Sequence, residues 1–191
     1  MCGIVGYIGS QRAQDFVVDG LEKLEYRGYD SAGIAVNTGG KAFAVVKKQG
    51  RLKNLADALE ASPLEGLAAI GHTRWATHGK PSDENSHPHF NADKTIVVVH
   101  NGIIENYLEL KTELLTKGYH FTSETDTEVV AHLLDSVYEG DILEATKKVL
   151  KRIRGAYALG IMAVNDPVRM FAVTKESPLI IGLGEGENFI A

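Results

Sequence analysis

The stretch TIVVVHNGIIENY, residues 95–107, passes from a run of β-branched apolar residues into a turn and then into a helical pattern. Its first six residues predict a buried strand, because short runs rich in valine and isoleucine favour that structure. Helical patterns follow over 103–117, from Thr125 onward and over 142–153, before the next strand-like run at 156–164. Three successive helices between two strands do not fit a doubly wound parallel sheet. The stretch therefore predicts an α+β fold with mainly antiparallel sheets.

Strand and helix patterns continue on both sides of this stretch. The strand-like runs cover residues 4–8, 33–37, 42–47, 68–73, 170–174, 179–183 and 188–191. The spacing of apolar residues predicts helices over 11–26 and 52–61. Thr125 and Glu128 have the spacing of a capping box at the start of the fourth helix. Residues 74–94 show no periodicity and predict a long loop that is functional or mobile.

The composition is that of a globular protein and excludes several classes. The chain has 191 residues, 44% of them hydrophobic, with Lys+Arg 20 against Asp+Glu 25 and a net charge of −5. This length predicts one domain over residues 1–191, and the hydrophobic share excludes a disordered tail. The acidic balance argues against a nucleic-acid partner. No apolar run approaches the roughly 20 residues that cross a bilayer, so no membrane partner is expected.

The two ends of the chain and its cysteine content predict a location. The N-terminal residues MCGI have neither a basic segment nor a cleavage site, so no secretory signal is expected. One cysteine cannot form an internal disulfide, which predicts a reducing, cytoplasmic compartment. The apolar run at 188–191 ends the chain without a polar tail, which predicts a truncated domain of a longer protein.

The position of the one cysteine, Cys2, suggests a chemical role. Removal of Met1 would give Cys2 a free α-amine, whose pKa near 7.7–8.0 lets it act as a general base. An N-terminal amine that activates its own residue's nucleophile is a known arrangement. The alternative is that Cys2 is a small buried apolar residue, which is the usual fate of a lone cysteine. Gly3 and the following apolar strand favour a site that a ligand can approach.

The segment YRGYDS, residues 26–31, combines a cation, an anion, two phenols and a glycine at a helix-to-strand turn. Arg27 there could orient the catalytic segment. The segment is equally consistent with a well-formed turn that has no further role.

The segment GHTRWATHG, residues 71–79, carries Arg74 and Trp75 at a strand end, before the long loop. An arginine can bind a carboxylate through two hydrogen bonds, and an indole can close over the ligand. A surface salt bridge and a core tryptophan are the alternative interpretation.

The segment VVVHNGIIEN, residues 97–106, brings Asn101 and Gly102 to a strand-to-helix turn. A side-chain amide and an adjacent backbone N–H that point the same way can form an oxyanion hole. The alternative is an ordinary turn, because Asn-Gly is a common turn pair.

The segment SETDTE, residues 123–128, opens a helix with acidic and hydroxyl groups. Asp126 could hold a substrate ammonium. It could equally complement the positive end of the helix dipole.

The histidines cluster in one region, which is a feature of some metal sites. Five of the 7 histidines fall within 29 residues of each other: His72, His78, His87, His89 and His100. They lack the spacing of a helical histidine pair, and the chain has no pair of cysteines. We therefore expect no metal and no cofactor.

Taken together, these segments resemble the class II glutamine amidotransferase domains, the N-terminal-nucleophile glutaminases. The resemblance covers essentially the whole chain, from MCGIVGYI to SPLIIGLGEGENFIA. The stretches LEYRGYDSAG and HTRWATHG are its most specific parts, and they point to the branch whose ammonia aminates fructose 6-phosphate. The resemblance implies a four-layer αββα sandwich with two mainly antiparallel sheets.

The resemblance also implies roles for individual residues. Cys2 would be the nucleophile, and Asn101 and Gly102 would form the oxyanion hole. Arg74 would bind the α-carboxylate of L-glutamine and Asp126 its α-ammonium. The remaining residues have supporting roles: Arg27 would support the cysteine, while Trp75, Thr77 and His78 would lie on a mobile glutamine loop over residues 74–82.

For the longer protein, the resemblance implies C-terminal sugar-isomerase domains and a homodimer, with glutamate and ammonia as products of this domain. Two alternatives stay open. The chain could be a non-catalytic glutamine-sensing module with an inert Cys2, or the glutaminase domain of another class II amidotransferase.

Overall fold

A computed structural model describes residues 2–75 and 79–191, which form four layers in the order helix, sheet, sheet, helix. The strands are β1 Gly3–Ile8, β2 Ser31–Asn37, β3 Ala44–Gln49, β4 Ala68–Arg74, β5 His89–Phe90, β6 Ile96–Gly102, β7 Tyr157–Ala163, β8 Phe171–Lys175, β9 Ile181–Leu183 and β10 Asn188–Ile190. The helices are α1 Ala13–Leu24, α2 Leu52–Ala61, α3 Tyr107–Thr116, α4 Thr127–Ser136 and α5 Ile142–Leu150.

The strands form two sheets. The first has the order β3-β2-β4-β1-β10-β9, and the second has the order β5-β6-β7-β8. Neighbouring strands in both sheets are antiparallel throughout the described ranges. The predicted α+β class and the four-layer arrangement are confirmed.

The valine run of β6 is buried on both faces. Val97 and Val99 pack with residues of the first sheet, including Ile4 and Ile70. Val98 points the other way and packs with the core that α3, α4 and α5 form against the second sheet. Because successive side chains of a strand alternate between its faces, a continuous apolar run is required where a sheet lies between two layers. The first sheet is covered on its outer face by α1 and α2.

Helix α3 begins at Tyr107, so the predicted start at residue 103 was wrong. Gly102 has a φ of +122°, which ends β6 without entering a helix. The backbone N–H of Ile104 then donates to the Asp126 side chain at 2.7 Å. The N–H groups of Ile103 and Glu105 donate to the carbonyl oxygens of Ala156 and Arg154, at 3.0 and 2.9 Å. Residues 103–105 therefore stay paired with the segment before β7, and the helix begins only after them.

The predicted capping box at Thr125 and Glu128 was also wrong. Helix α4 begins at Thr127, one residue later than a capping box at Thr125 requires. The Thr125 hydroxyl lies 2.9 Å from Nε2 of His89. The Glu128 carboxylate accepts hydrogen bonds from the backbone N–H groups of Thr122 and Ser123, so it supports the preceding loop instead.

The ends of three strands meet at one edge of the two sheets. Cys2 precedes β1, and Gly3 pairs with Thr73 near the end of β4. The last two residues of β6, in the other sheet, lie beside them, because Asn101 contacts Cys2. In the described ranges, none of the helices has both the length and the apolar character that a membrane crossing requires.

Candidate active site

A cavity of about 590 Å³ opens where these strand ends meet. It is lined by every described residue that the sequence predicted for the site: Cys2, Arg27, Arg74, Trp75, Asn101, Gly102 and Asp126. The other two predicted residues, Thr77 and His78, lie outside the described residues. One wall that the sequence did not predict is formed by the segment from Ser177 to Ile180.

The Cys2 thiol lies against the backbone of Trp75. The Trp75 N–H donates to Sγ at 3.1 Å, and the thiol can donate to the Trp75 carbonyl oxygen at 3.6 Å. Burial raises the pKa of the thiol, and this outweighs the Trp75 N–H and the nearby Arg74, which both lower it. The thiol is therefore protonated at neutral pH, and any reaction through its sulfur needs a base.

The Asn101 side chain bridges Cys2 and a buried histidine. Its amide nitrogen donates to the Cys2 carbonyl oxygen at 3.2 Å. Its amide oxygen lies 2.9 Å from Nε2 of His72. These two contacts fix the orientation of the amide, with its nitrogen toward Cys2 and its oxygen toward His72.

The backbone N–H of Gly102 points away from β7. The N–H of the next residue, Ile103, donates to the Ala156 carbonyl oxygen of the β7 side at 3.0 Å. Alternate residues of an antiparallel strand donate to the same neighbour, so the Gly102 N–H faces the opposite edge. The N–H of His100 also faces that edge and donates to His87 Nδ1 at 3.3 Å.

Position 102 requires glycine. A Cβ there would lie 2.1 Å from the Ala156 carbonyl oxygen, and the φ of +122° is one that side chains rarely adopt. The close approach of the two backbones is what brings the end of β6 to the cavity.

Arg74 is the last residue of β4 and is only 4% exposed. Its guanidinium donates to the Gly79 carbonyl oxygen at 3.3 Å. Burial lowers the pKa of Arg74, while the negative charges at Asp30 and Asp126, and Cys2 in its thiolate form, raise it. A buried cation of this kind at a cavity wall suits an anionic ligand.

The turn at residues 26–31 packs against the end of β4 at Arg74. The Asp30 N–H donates to the Arg74 carbonyl oxygen at 3.0 Å. A Cβ on Gly28 would lie 2.8 Å from the backbone of Arg74, so the turn packs directly on that strand end. Tyr29 meets Trp75 edge to face at 5.3 Å. Trp75 is 44% exposed, which excludes the core tryptophan considered as an alternative.

Asp126 precedes helix α4 but does not cap it through its side chain. It is 6% exposed, and its Oδ2 accepts from the Ile104 N–H at 2.7 Å. His100 Nδ1 lies 3.9 Å from the same oxygen. The carboxylate is therefore held by the turn after β6 and lines the cavity. Its role is not limited to placing a negative charge at the positive end of the α4 dipole.

Four buried histidines lie at or near the cavity wall: His72, His87, His89 and His100. Two of them, His87 and His100, line the cavity. Burial lowers the pKa of each, and that of His72 falls to about 3. All four are therefore neutral at physiological pH. The sequence predicted no role for these four histidines. Nε2 of His72 lies 2.9 Å from the Asn101 side-chain oxygen, and Nδ1 of His100 lies 3.9 Å from the Asp126 carboxylate.

Comparisons with known proteins identify one family. Residues 72–190 match the family model described as a glutamine amidotransferase domain. The chain is 58% identical over 191 residues to a glutamine–fructose-6-phosphate aminotransferase (isomerizing) of Clostridium perfringens, covering 100% of this chain and 31% of the relative. The corresponding protein of Thermus thermophilus is 57% identical with the same coverage. The chain thus spans about a third of the length of these curated relatives.

A solved structure has the same fold. The glutamine phosphoribosylpyrophosphate amidotransferase of B. subtilis, complexed with ADP and GMP, matches with a TM-score of 0.85. It is 30% identical, and the match covers 100% of this chain and 41% of that one.

Proposed function

The chain belongs to the glutamine amidotransferase domain family, as a class II glutaminase domain, and from this premise we propose that it hydrolyses L-glutamine to glutamate and ammonia. The observation that carries the proposal is that Cys2, Asn101 and Gly102 line one cavity. A thiol beside a side-chain amide donor and an outward-facing backbone N–H has the chemistry needed for acyl transfer through a tetrahedral intermediate.

The base in this proposal is the α-amine that Cys2 acquires when Met1 is removed. With a pKa near 7.7–8.0 this amine is partly neutral at cellular pH. It takes the thiol proton directly or through water. The need for it is supported by the burial that raises the pKa of the thiol.

The reaction then proceeds in two halves. The Cys2 sulfur attacks the side-chain carbonyl carbon of glutamine, and Asn101 and the Gly102 N–H stabilise the oxyanion. Collapse breaks the carbon–nitrogen bond, and the leaving nitrogen takes from the Cys2 α-ammonium the proton that came from the thiol, and departs as ammonia. Water adds to the thioester, the carbon–sulfur bond breaks, and glutamate leaves with the thiol restored.

Two buried charges are proposed to select a free amino acid. Arg74 binds the α-carboxylate and Asp126 the α-ammonium. A peptide-bound glutamine lacks one or both groups and would leave a buried charge unpaired, which penalises its binding. The low exposure of both side chains supports this selectivity.

The remaining predicted residues are proposed to support or cover the site. Arg27 lines the cavity and would support the cysteine segment. Trp75, Thr77 and His78 would close over bound glutamine as part of the loop at residues 74–82. The exposure of Trp75 leaves its indole available for such a role.

The relatives are about three times as long as this chain, which is consistent with additional domains in the full-length protein. We propose that residues 1–191 are its glutaminase domain and that C-terminal sugar-isomerase domains use the ammonia to convert fructose 6-phosphate to glucosamine 6-phosphate. A homodimer of the full-length protein is part of the same proposal. The single cysteine supports a reducing, cytoplasmic compartment.

The test is release of glutamate from L-glutamine by the purified chain, with Cys2→Ala as the matched control. The proposal predicts turnover by the wild-type chain and none by the variant. A glutamine sensor is the second candidate, favoured by the protonated thiol. A sensor would bind glutamine equally in both proteins and would release glutamate with neither.

A further inference from the structure

Nε2 of His72 faces two hydrogen-bond acceptors. It lies 2.9 Å from Oδ1 of Asn101 and 3.0 Å from the carbonyl oxygen of His100. Neither oxygen can donate, so Nε2 must carry the ring proton. The two acceptors therefore set the tautomer of His72.

The same contacts set the orientation of the Asn101 amide. Rotating the amide by 180° would place its NH₂ group against the Nε2–H of His72. It would also place Oδ1 against the Cys2 carbonyl oxygen, which now accepts from Nδ2 at 3.2 Å. Two donors would face each other at one end and two acceptors at the other, so the flipped amide is disfavoured at both ends.

His72 is held rigidly enough to serve as a fixed reference. Its side chain is fully buried, and its ring stacks on that of His87 with centroids 4.1 Å apart. Its Nδ1 has no hydrogen-bond partner among the described residues, so no acceptor there favours a proton on Nδ1 instead of Nε2. The ring is neutral across the physiological range, so its donor is always present.

We propose that His72 is a positioning residue that orients the Asn101 amide so that its NH₂ group, not its oxygen, faces the reacting carbonyl. This inference rests on the proposed function, because it assigns His72 to the oxyanion hole of that reaction. Without His72, Asn101 loses one of the two contacts that disfavour its flipped form. A flipped Asn101 would present an oxygen to a developing negative charge.

The test compares two polar variants of His72 in the full 191-residue chain. In His72→Gln the new amide nitrogen can take the place of Nε2 and donate to Asn101. In His72→Asn it takes the place of Nδ1 and cannot reach. We expect His72→Asn to lower kcat about 10- to 100-fold, a share of the roughly 10²–10³ that loss of an oxyanion donor costs. His72→Gln should retain kcat within about fivefold, and KM should change little in both.

His89→Gln is the matched control. His89 is also buried and lies edge to face with His87 at 4.7 Å, but it bonds to Thr125 and makes no recorded contact with Asn101 in the described ranges. It should leave kcat within about twofold of wild type. Equal kcat for the Gln and Asn variants of His72, or an equal loss in His89→Gln, would overturn the proposal.

A second readout does not depend on turnover. Nitrogen-15 NMR of the histidine rings at pH 7 should show His72 as the Nε2–H tautomer. The Nδ1–H tautomer would overturn the proposal even in an active protein. If the wild-type chain releases no glutamate while His72 shows the expected tautomer, the proposed function fails and the structural assignment of His72 stands.

Discussion

The side-chain amide of Asn101 donates a hydrogen bond to the backbone carbonyl of Cys2 across 3.2 Å. Asn101 lies in β6 of the second sheet, and Cys2 immediately precedes β1 of the first, so this bond links the two central layers. It holds a hydrogen-bond donor beside the thiol before any ligand is present. A donor that is already in place costs little reorganisation when charge develops next to it, which is the basis of electrostatic stabilisation in acyl transfer.

Replacing Asn101 by Ala should lower kcat for glutamine hydrolysis about 10²–10³-fold with little change in KM, because the donor acts chiefly on the tetrahedral oxyanion. Steady-state glutamate release over a range of glutamine concentrations separates the two constants. A raised KM at unchanged kcat would show that Asn101 binds the ground state instead.

Changes at the two buried charges should act on KM. Asp126→Asn keeps an oxygen that can accept from the Ile104 N–H, so it removes the charge with the least disturbance of the turn. We expect KM for glutamine to rise about 10-fold or more, because hydrogen bonds to charged groups contribute about 1.5–3 kcal/mol. Arg74→Ala should have a larger effect of the same kind. The roles assigned to these residues are wrong if both variants keep the wild-type KM and lose only kcat.

Gly102→Ala should destabilise the fold by about 3 kcal/mol or more, because both the backbone conformation and the contact with Ala156 forbid a Cβ. Gly118→Ala is the matched control: its φ is also positive, at +87°, but nothing lies within 4 Å of the added Cβ. It should cost only about 1–2 kcal/mol. Urea unfolding of the three proteins measures the difference, and equal costs at the two sites would contradict the steric argument.

The buried histidines should make the protein acid-sensitive. Burial lowers the pKa of His72, His87, His89 and His100 in the folded state. The unfolded chain therefore binds more protons once the pH falls below about 6.5, and stability falls with it. The loss continues down to the folded-state values, which for His72 means about pH 3. A histidine whose folded-state pKa is as low as that of His72 contributes about 1.4 kcal/mol between pH 7.5 and 5.5. The other three contribute a loss of stability in the same direction.

Urea unfolding at these two pH values measures that loss. His89→Gln should reduce it, since one proton-binding group is removed from the unfolded chain. The same change at the exposed His120 is the control and should leave the loss unaltered. A free energy of unfolding that is the same at both pH values would mean that these imidazoles are protonated in the folded protein.

The sequence predicted the layers better than it predicted the contacts between them. The valine run at 97–99 identified β6 because burial on both faces needs apolar residues at every position. The start of α3 was wrong because Ile103 and Glu105 donate to the segment before β7, at Ala156 and Arg154. The capping box was wrong because Glu128 bonds backward to the loop before it. Both errors come from tertiary hydrogen bonds that local patterns do not report.

The candidate site was predicted through the resemblance of its motifs, and seven of its residues do share one cavity: Cys2, Arg27, Arg74, Trp75, Asn101, Gly102 and Asp126. The contact of His72 with Asn101 could not be predicted, because it depends on how β4 of one sheet meets β6 of the other. The roles of Thr77 and His78 stay predictions, since these residues lie outside the described ranges.

The most direct test of the account is the intact mass of the 191-residue chain before and after reaction with a glutamine-mimicking diazoketone. The first mass reports whether Met1 has been removed. On the Met-free chain we predict a single adduct that maps to Cys2, is prevented by L-glutamine and is absent from Cys2→Ala. A folded, Met-free chain that gains no adduct, or gains one that glutamine does not prevent, would contradict the claim that Cys2 is the nucleophile of a glutamine site.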